Sequence, residues 1–469
     1  MDRIPTHVPN LDRILYGGLP RNSTLLISGV PGSGKTILAH QIAYGNATPE
    51  SKALLVTTVS EPMARVIRFT QGFSFFDLTK VGRAVIYEDI GPLLLEGNGE
   101  RALDHIAELA LQHQPTLLIV DSFKAIHDVA ESPAGLRRAL YQLAARLATL
   151  SCTTLLVGEY ATDEIAQVPE TAIVDGIIEL ANQPRGLRDY RTLRVRKLRG
   201  SGYHAGEHSF RITPEGLVLF PRFVTPAVPE DYVVSQERVP TGVSGLDTLL
   251  HGGLLRGTST LLIGDPGVGK TVTALHFLLH GVRQGEAGVY ISFQEDPNQL
   301  RQIARNFGWE VEEMQAQQRL EMFYTSPVEL DVDEHILKIV ASMERVGARR
   351  AVIDSITDFQ AGTARDHDRY FNYIYSLVQW CKDRNITIVL THEISQMFST
   401  ALTMTGLGIS HIADNIILMR YVPSGFEVRR ALTILKARGS IHSRAVREYT
   451  ISEQEGPRVG EPISGMFSS

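Results

Sequence analysis

The chain has 469 residues, of which 43 % are apolar and 21 % charged, and its formal net charge is −6 at neutral pH. That length suggests more than one domain, no apolar run approaches the ~18 residues of a membrane helix, and the acidic balance offers no field for binding nucleic acid along the whole surface. The N-terminus leads at once into a recurring motif and leaves no room for a signal peptide, and Cys152 and Cys381 stand alone in apolar settings as small hydrophobes of a reducing compartment. The expected location is the cytoplasm.

In chain order, residues 1–20 hold a proline lead-in, a short helix around 11–15 and the turn Gly17-Gly18-Leu19-Pro20. A strand over 23–28 follows, then the glycine-rich stretch Gly29-Val30-Pro31-Gly32-Ser33-Gly34-Lys35-Thr36 and a helix carried by Ile37, Leu38, Ile42 and Ala43. A strand is expected over 53–58. Residues 116–122 form an almost wholly apolar run ending in Asp121 and Ser122, the pattern of a parallel strand buried on both faces. A helix over 134–149 and strands over 153–158, 173–180 and 190–198 come next, and the half closes with 206–220.

Pro221, Pro226 and Pro229 mark an extended linker over 221–238. Beyond it the plan recurs at an offset of 235 residues, from Gly29 to Gly264, which also carries Pro5 onto Pro240, Leu11-Asp12 onto Leu246-Asp247 and Gly17-Gly18-Leu19 onto Gly252-Gly253-Leu254. The second glycine-rich stretch is Gly264-Asp265-Pro266-Gly267-Val268-Gly269-Lys270-Thr271, and its acid-tipped strand ends in Asp354-Ser355. Strands over 386–391, 415–419 and 431–436 follow. The chain is therefore a tandem duplication, with one α/β domain at 1–220 and another at 239–452. Gly, Pro and Ser in 453–469 predict a mobile tail.

Both glycine-rich stretches read as phosphate-binding loops, in which backbone N–H groups cradle a polyphosphate, Lys35 and Lys270 reach the terminal phosphates, and the hydroxyls of Thr36 and Thr271 ligate Mg²⁺. Roughly 85 residues later, Asp121 and Asp354 are placed to hold that ion through its water shell. Two copies in the same strand-to-helix setting leave little weight for a mere tight turn. Lys197-Leu198-Arg199 and Lys436-Ala437-Arg438 each set two cations on one face of a strand, which suits either a phosphate clamp or a solvated edge strand.

The repeated proline and Gly-Gly-Leu lead-in, the paired phosphate loops and the paired Lys-x-Arg-Gly elements resemble the double-domain KaiC-type ATPases of the RecA-like superfamily, over nearly the whole chain. The resemblance implies a mainly parallel sheet flanked by helices in each half, ATP and Mg²⁺ as ligands, and a two-tiered homohexamer with ATP at subunit interfaces. It also implies that Lys197, Leu198, Arg199, Lys436, Ala437 and Arg438 reach a neighbouring subunit's nucleotide. Phe307 falls where relatives stack an aromatic on adenine, or is a core aromatic.

Departures from the family pattern limit what carries over. Relatives place two glutamates after the strand that follows the phosphate-loop helix, the first acting as base. Here the second half reads Gln294-Glu295 and the first half Val59-Ser60, with Glu61 one position late. Gln orients water but takes no proton, which leaves Glu295 as the base and a further metal-site carboxylate of the second half, and Glu61 as a weaker base candidate in the first. The family's Ser-Thr phosphorylation pair appears as Ser410-His411, so autokinase activity would fall on Ser410 alone, the other reading being a polar loop residue.

The function expected is a hexameric signalling or clock-type ATPase acting through regulatory protein partners, with hydrolysis and autophosphorylation in the second half. One rival is a DNA-dependent recombinase or helicase on the same core. It is disfavoured because residues 161–173 and 394–408, the loops such a motor would turn to its channel, hold no Lys or Arg. The other is an assembly scaffold with negligible turnover, favoured by the missing acids.

Overall fold

The structure is a computed structural model and describes residues 2–58, 63–161, 163–165, 168, 170–185, 188–226, 235–326, 331–357, 367–394, 411–424, 427–443 and 445–463. The chain divides into two compact units, Met1–Arg222 and Phe223–Ser469.

Each unit is built on a nine-stranded sheet of one topology. In the first, six strands run parallel in the order Val85–Asp89, Ala53–Thr57, Leu117–Asp121, Thr153–Gly158, Thr24–Gly29, Gly176–Arg185, and three antiparallel strands, Arg188–Leu198, Glu207–Thr213 and Gly216–Phe220, extend the last. The second repeats this order from Leu320–Tyr324 through Gly288–Ser292, Arg350–Asp354, Thr387–Glu393, Ser259–Gly264 and Asn415–Ser424 to Glu427–Ala437, Arg447–Ser452 and Gly456–Pro462. The central strands are short apolar runs because helices cover both their faces. Every residue of Ala53–Thr57, Thr24–Gly29 and Arg350–Asp354 is buried. Separate apolar clusters fill the two sides of each sheet, with Leu25 and Ile27 on one side and Leu26 on the other. Each such buried Leu or Ile contributes about 1.5–3 kcal/mol, which makes the alternation along these strands the main determinant of the layered fold.

Two expectations are corrected. The mobile tail expected over 453–469 is corrected at Gly456–Pro462, which is the edge strand of the second sheet, paired with Arg447–Ser452, while 464–469 lie outside the described residues. Gly456 at φ 70° makes the turn and Val459 is buried; the polar composition belongs to a half-exposed edge rather than to disorder. The linker is also shorter than 221–238. Phe223 packs against the core of the second unit, the Thr225 hydroxyl lies 2.7 Å from that of Ser376, and Arg238–Val239 pairs with Leu254–Leu255. Prolines break regular structure without preventing a segment from packing.

Among the described residues no helix is long and apolar enough to cross a membrane.

Candidate functional site

In each half the phosphate-loop strand ends at the carboxyl edge of the parallel strands, where a crevice opens. Gly29 and Gly264 let the loop leave that edge: a Cβ on Gly29 would lie 2.1 Å from the Leu180 carbonyl oxygen, and one on Gly264 2.3 Å from that of Met419. The helices Lys35–Asn46 and Lys270–Arg283 begin at Gly34 and Gly269, both left-handed, with no side chain capping either first turn. Their leading N–H groups are thereby left to an anion. Pro31, Gly32, Pro266 and Gly267 form the intervening bends, while Ser33 and Val268 are fully buried beneath them.

The loop lysines point back into this cradle. Lys35 Nζ donates to the Val30 carbonyl at 2.9 Å, and Lys270 Nζ to the carbonyls of Gly264 and Asp265 at 3.0 and 2.8 Å. Burial lowers the pKa of both, opposed at Lys35 by Glu159 and Asp121 and at Lys270 by Glu393, Asp354 and Asp265. The first cradle opens into a cavity of about 440 Å³ lined by, among others, Lys35, Thr36, Asp121, Ser122 and Glu159.

Thr36 Oγ1 donates to Asp121 Oδ2 and Thr271 Oγ1 to Asp354 Oδ2, each at 2.7 Å. One hydroxyl and one carboxylate suit Mg²⁺, which is usually held by one or two carboxylates together with substrate phosphates and water rather than by an all-protein cage. Among the described residues no group of three or more His, Cys, Asp or Glu side chains is placed to hold a metal. Asp354 also accepts from Tyr290 at 2.7 Å and from Thr391. Glu295 is half-buried, its N–H donates to Ser292 Oγ at 3.1 Å, and its charge acts on Tyr290, so it lies beside the Asp354 cluster. Gln294, next to it, is exposed. In the first half Val59, Ser60 and Glu61 lie outside the described residues, as do Ser410 and all of 394–408 but its first residue in the second.

The Lys-x-Arg elements sit at the other end of the sheet. Leu198 pairs with Gly176 and Gly176 with Leu25; Ala437 pairs with Asn415 and Asn415 with Thr260. At ~3.3 Å per residue, the four steps from Leu25 to Gly29, or from Thr260 to Gly264, put roughly 13 Å of strand between each element and its own phosphate loop. The cations turn farther away still. Lys197 Nζ donates to the carbonyls of Thr171 and Val174 at 3.0 and 2.6 Å, Arg199 pairs with Asp175 at 3.7 Å, Lys436 Nζ donates to the Ala413 carbonyl at 2.7 Å, and Arg438 pairs with Asp414 at 3.5 Å. Leu198 is buried in the first core and Ala437 packs against the second.

Phe307 is half-buried, stacks on Trp309 with centroids 5.0 Å apart, and packs against the second core. His411 is exposed. Cys152 and Cys381 are buried, and burial pushes both thiols up to about 12, as expected of inert core cysteines.

Several residues of these sites escape sequence reasoning. Glu159 follows and Glu393 closes equivalent strands; Glu159 Oε1 lies 3.9 Å from Lys35 Nζ, and Glu393, in register with Gly264, acts by its charge on Lys270. Asp175 and Asp414 accept from the first N–H groups of the phosphate-loop strands, Thr24 at 3.0 Å and Ser259 at 2.9 Å, while engaging Arg199 and Arg438. Asp265 and Tyr421 brace the second loop: Tyr421 N–H donates to Asp265 Oδ2 at 3.0 Å and its hydroxyl to the Gly267 carbonyl at 2.7 Å. Recurrence at a near-constant offset was the available signal for the glutamate and aspartate pairs.

Comparison with known proteins agrees with this geometry. A family model described as an ATPase, KaiC, matches twice, over residues 4–223 and 239–464. The circadian clock oscillator protein KaiC of Picosynechococcus sp. is 30% identical over 464 residues, covering 97% of this chain and 89% of the relative. KaiC 1 of Synechocystis sp. is 30% identical over 473 residues, covering 98% and 89%, and KaiC of Synechococcus elongatus is 29% identical over 468 residues, covering 97% and 89%.

Proposed function

The chain belongs to the KaiC family of ATPases, and from that premise we propose that it hydrolyses ATP as a homohexamer in which each subunit completes its neighbour's nucleotide sites. The observation that carries this reading is the opposite-end placement of the Lys-x-Arg elements. Cations some 13 Å of strand away from their own phosphate loop, and engaged by carbonyls and aspartates at that far end of the sheet, serve no phosphate in cis; the partner proposed for them is the loop of the next subunit in a ring. Lys35 and Lys270 hold the terminal phosphates, the phosphate-loop amides cradle them, and Lys197, Arg199, Lys436 and Arg438 approach from across the interface. Mg²⁺, held by the Thr36 and Thr271 hydroxyls with Asp121 and Asp354 in its water shell, would supply charge neutralisation on the phosphates.

The halves divide the work unequally. In the second, Glu295 beside the Asp354 cluster takes the proton of the attacking water and Gln294 orients it. The first binds ATP chiefly to assemble subunits. The relatives' names place them in a circadian oscillator, which supports a cytoplasmic signalling or timing role exercised through regulatory protein partners. ATP turnover measured with and without single-stranded DNA tests the reading: equal, readily measured rates are expected. Marked stimulation would point to a DNA motor, and negligible turnover in both to a scaffold.

The second half also carries a slow autokinase activity with Ser410 as acceptor. General-base assistance is worth typically 10²–10⁴-fold, and relatives act from the position held here by Gln294. Incubation with radiolabelled ATP is therefore expected to label Ser410 weakly, and Gln294→Glu to raise the labelling rate by about 10²-fold. No label on either protein would retire the kinase reading.

A further inference from the structure

The first half lacks both acids of the family's catalytic strand end, yet its phosphate loop faces a carboxylate. Glu159 follows the strand Thr153–Gly158, which lies between the phosphate-loop strand and the strand ending in Asp121. Gly158 pairs with Ser28, and Val157 with Asp121. Glu159 thus leaves the sheet between the loop that would cradle the phosphates and the aspartate that would hold the metal's water shell, beside the place a terminal phosphate would take.

Its side chain turns into that space. Glu159 Oε1 is 3.9 Å from Lys35 Nζ and lines the cavity with Lys35, Thr36, Asp121 and Ser122. The separation is too long for a direct hydrogen bond and short enough for one oxygen atom to bridge the two groups. About half of the side chain is exposed (53 %), so a water from bulk reaches it. The arrangement recurs in the second half, where Glu393 closes the equivalent strand in register with Gly264 and its charge acts on Lys270. Recurrence across two halves of divergent sequence argues against a chance surface glutamate.

We propose that Glu159 is the general base of the first site. The inference rests on the reading of that site as an ATP site. Water hydrogen-bonded to the Glu159 carboxylate attacks the γ-phosphorus and gives the carboxylate a proton. The new oxygen–phosphorus bond forms as the bond from γ-phosphorus to the β,γ-bridging oxygen breaks, and ADP leaves with that electron pair. Protonated Glu159 then returns the proton to solvent. ATP and water become ADP, inorganic phosphate and a proton, with no other reactant. Lys35, paired with Glu159 before ATP binds, turns to the γ-phosphate, which frees the carboxylate for water.

The test uses the full chain with the second site disabled by Lys270→Ala, so that the remaining turnover belongs to the first. In that background Glu159→Gln is expected to cut single-turnover hydrolysis of radiolabelled ATP by about 10²- to 10⁴-fold, while equilibrium binding of ATP changes by less than about tenfold. Glu159→Asp, which keeps the carboxylate, is expected to recover part of the rate. Bound ATP with unchanged hydrolysis in Glu159→Gln would overturn the proposal alone, as would bound ATP with no turnover in the Lys270→Ala parent. Failure of that parent to bind ATP would overturn the first-site reading as well. Equal loss in the Gln and Asp variants, with ATP binding weakened in parallel, would assign Glu159 to binding and contradict the base.

Discussion

Glu295→Gln is expected to reduce steady-state ATP hydrolysis by about 10²-fold or more in the second site while leaving nucleotide bound, because it removes a proton acceptor without removing a phosphate contact. The loss should appear in kcat with little change in KM. The side chain lies among groups that are already arranged: its N–H is held by Ser292, and Asp354 accepts from Thr271, Tyr290 and Thr391. Gln is isosteric with Glu, so this framework stays in place. What hydrolysis survives belongs to the first site and should be lost on adding Glu159→Gln. A rate near that of the parent protein for Glu295→Gln alone would show that the base of the second site is another group, with Glu393 the next carboxylate in line.

ATP should convert the protein from monomer to hexamer. Lys197 and Arg199 engage groups at the far end of the sheet from their own loop, so on the proposed reading they add to ATP binding only where a neighbour presents its phosphates. Linkage then requires that ATP favour assembly, by an amount set at saturation by the ratio of its affinity for the ring to its affinity for the lone subunit. Lys35→Ala is expected to weaken assembly more than Lys270→Ala, since the first site is the one proposed to bind ATP chiefly for assembly. Mass measurement across an ATP titration checks both points. A monomer at saturating ATP, or equal effects of the two lysine variants, would contradict them.

Much of this was legible in the sequence because duplication supplied a control. A single glycine-rich stretch is a turn or a phosphate loop, but two at one offset, each ahead of an acid-tipped apolar strand, fix strand, loop and helix together. The continuous apolar runs marked most of the buried parallel strands, whereas the order of the sheet and its edge strands Val85–Asp89 and Leu320–Tyr324 came only from the structure. The glutamates beside the loop lysines were not legible. Glu159 is remote from Lys35 along the chain and sits in no local motif, and only the insertion of Thr153–Gly158 between two other strands brings it to the loop. Asp175 and Asp414 escaped for the same reason, since each acts through a strand's first N–H group and an arginine that are distant in sequence. The edge strand Gly456–Pro462 was hidden by composition, because an edge exposed on one side needs few apolar residues and Val459 alone is buried there among the aliphatic side chains.

Subunit mixing tests the action across the interface most directly. Lys270→Ala removes the second site's phosphate lysine and Arg438→Ala removes the cation proposed to serve a neighbour, so each variant alone should lose most second-site hydrolysis, measured with Glu159→Gln in both to silence the first site. In a mixed ring, the intact Lys270 loop of one subunit can face the intact Arg438 of the next. Mixing the two variants in equal amounts in the presence of ATP is therefore expected to restore a substantial fraction of the activity. Activity that stays at the level of the separate variants, in rings shown by mass to contain both, would contradict a site shared between subunits, as would full activity in Arg438→Ala alone.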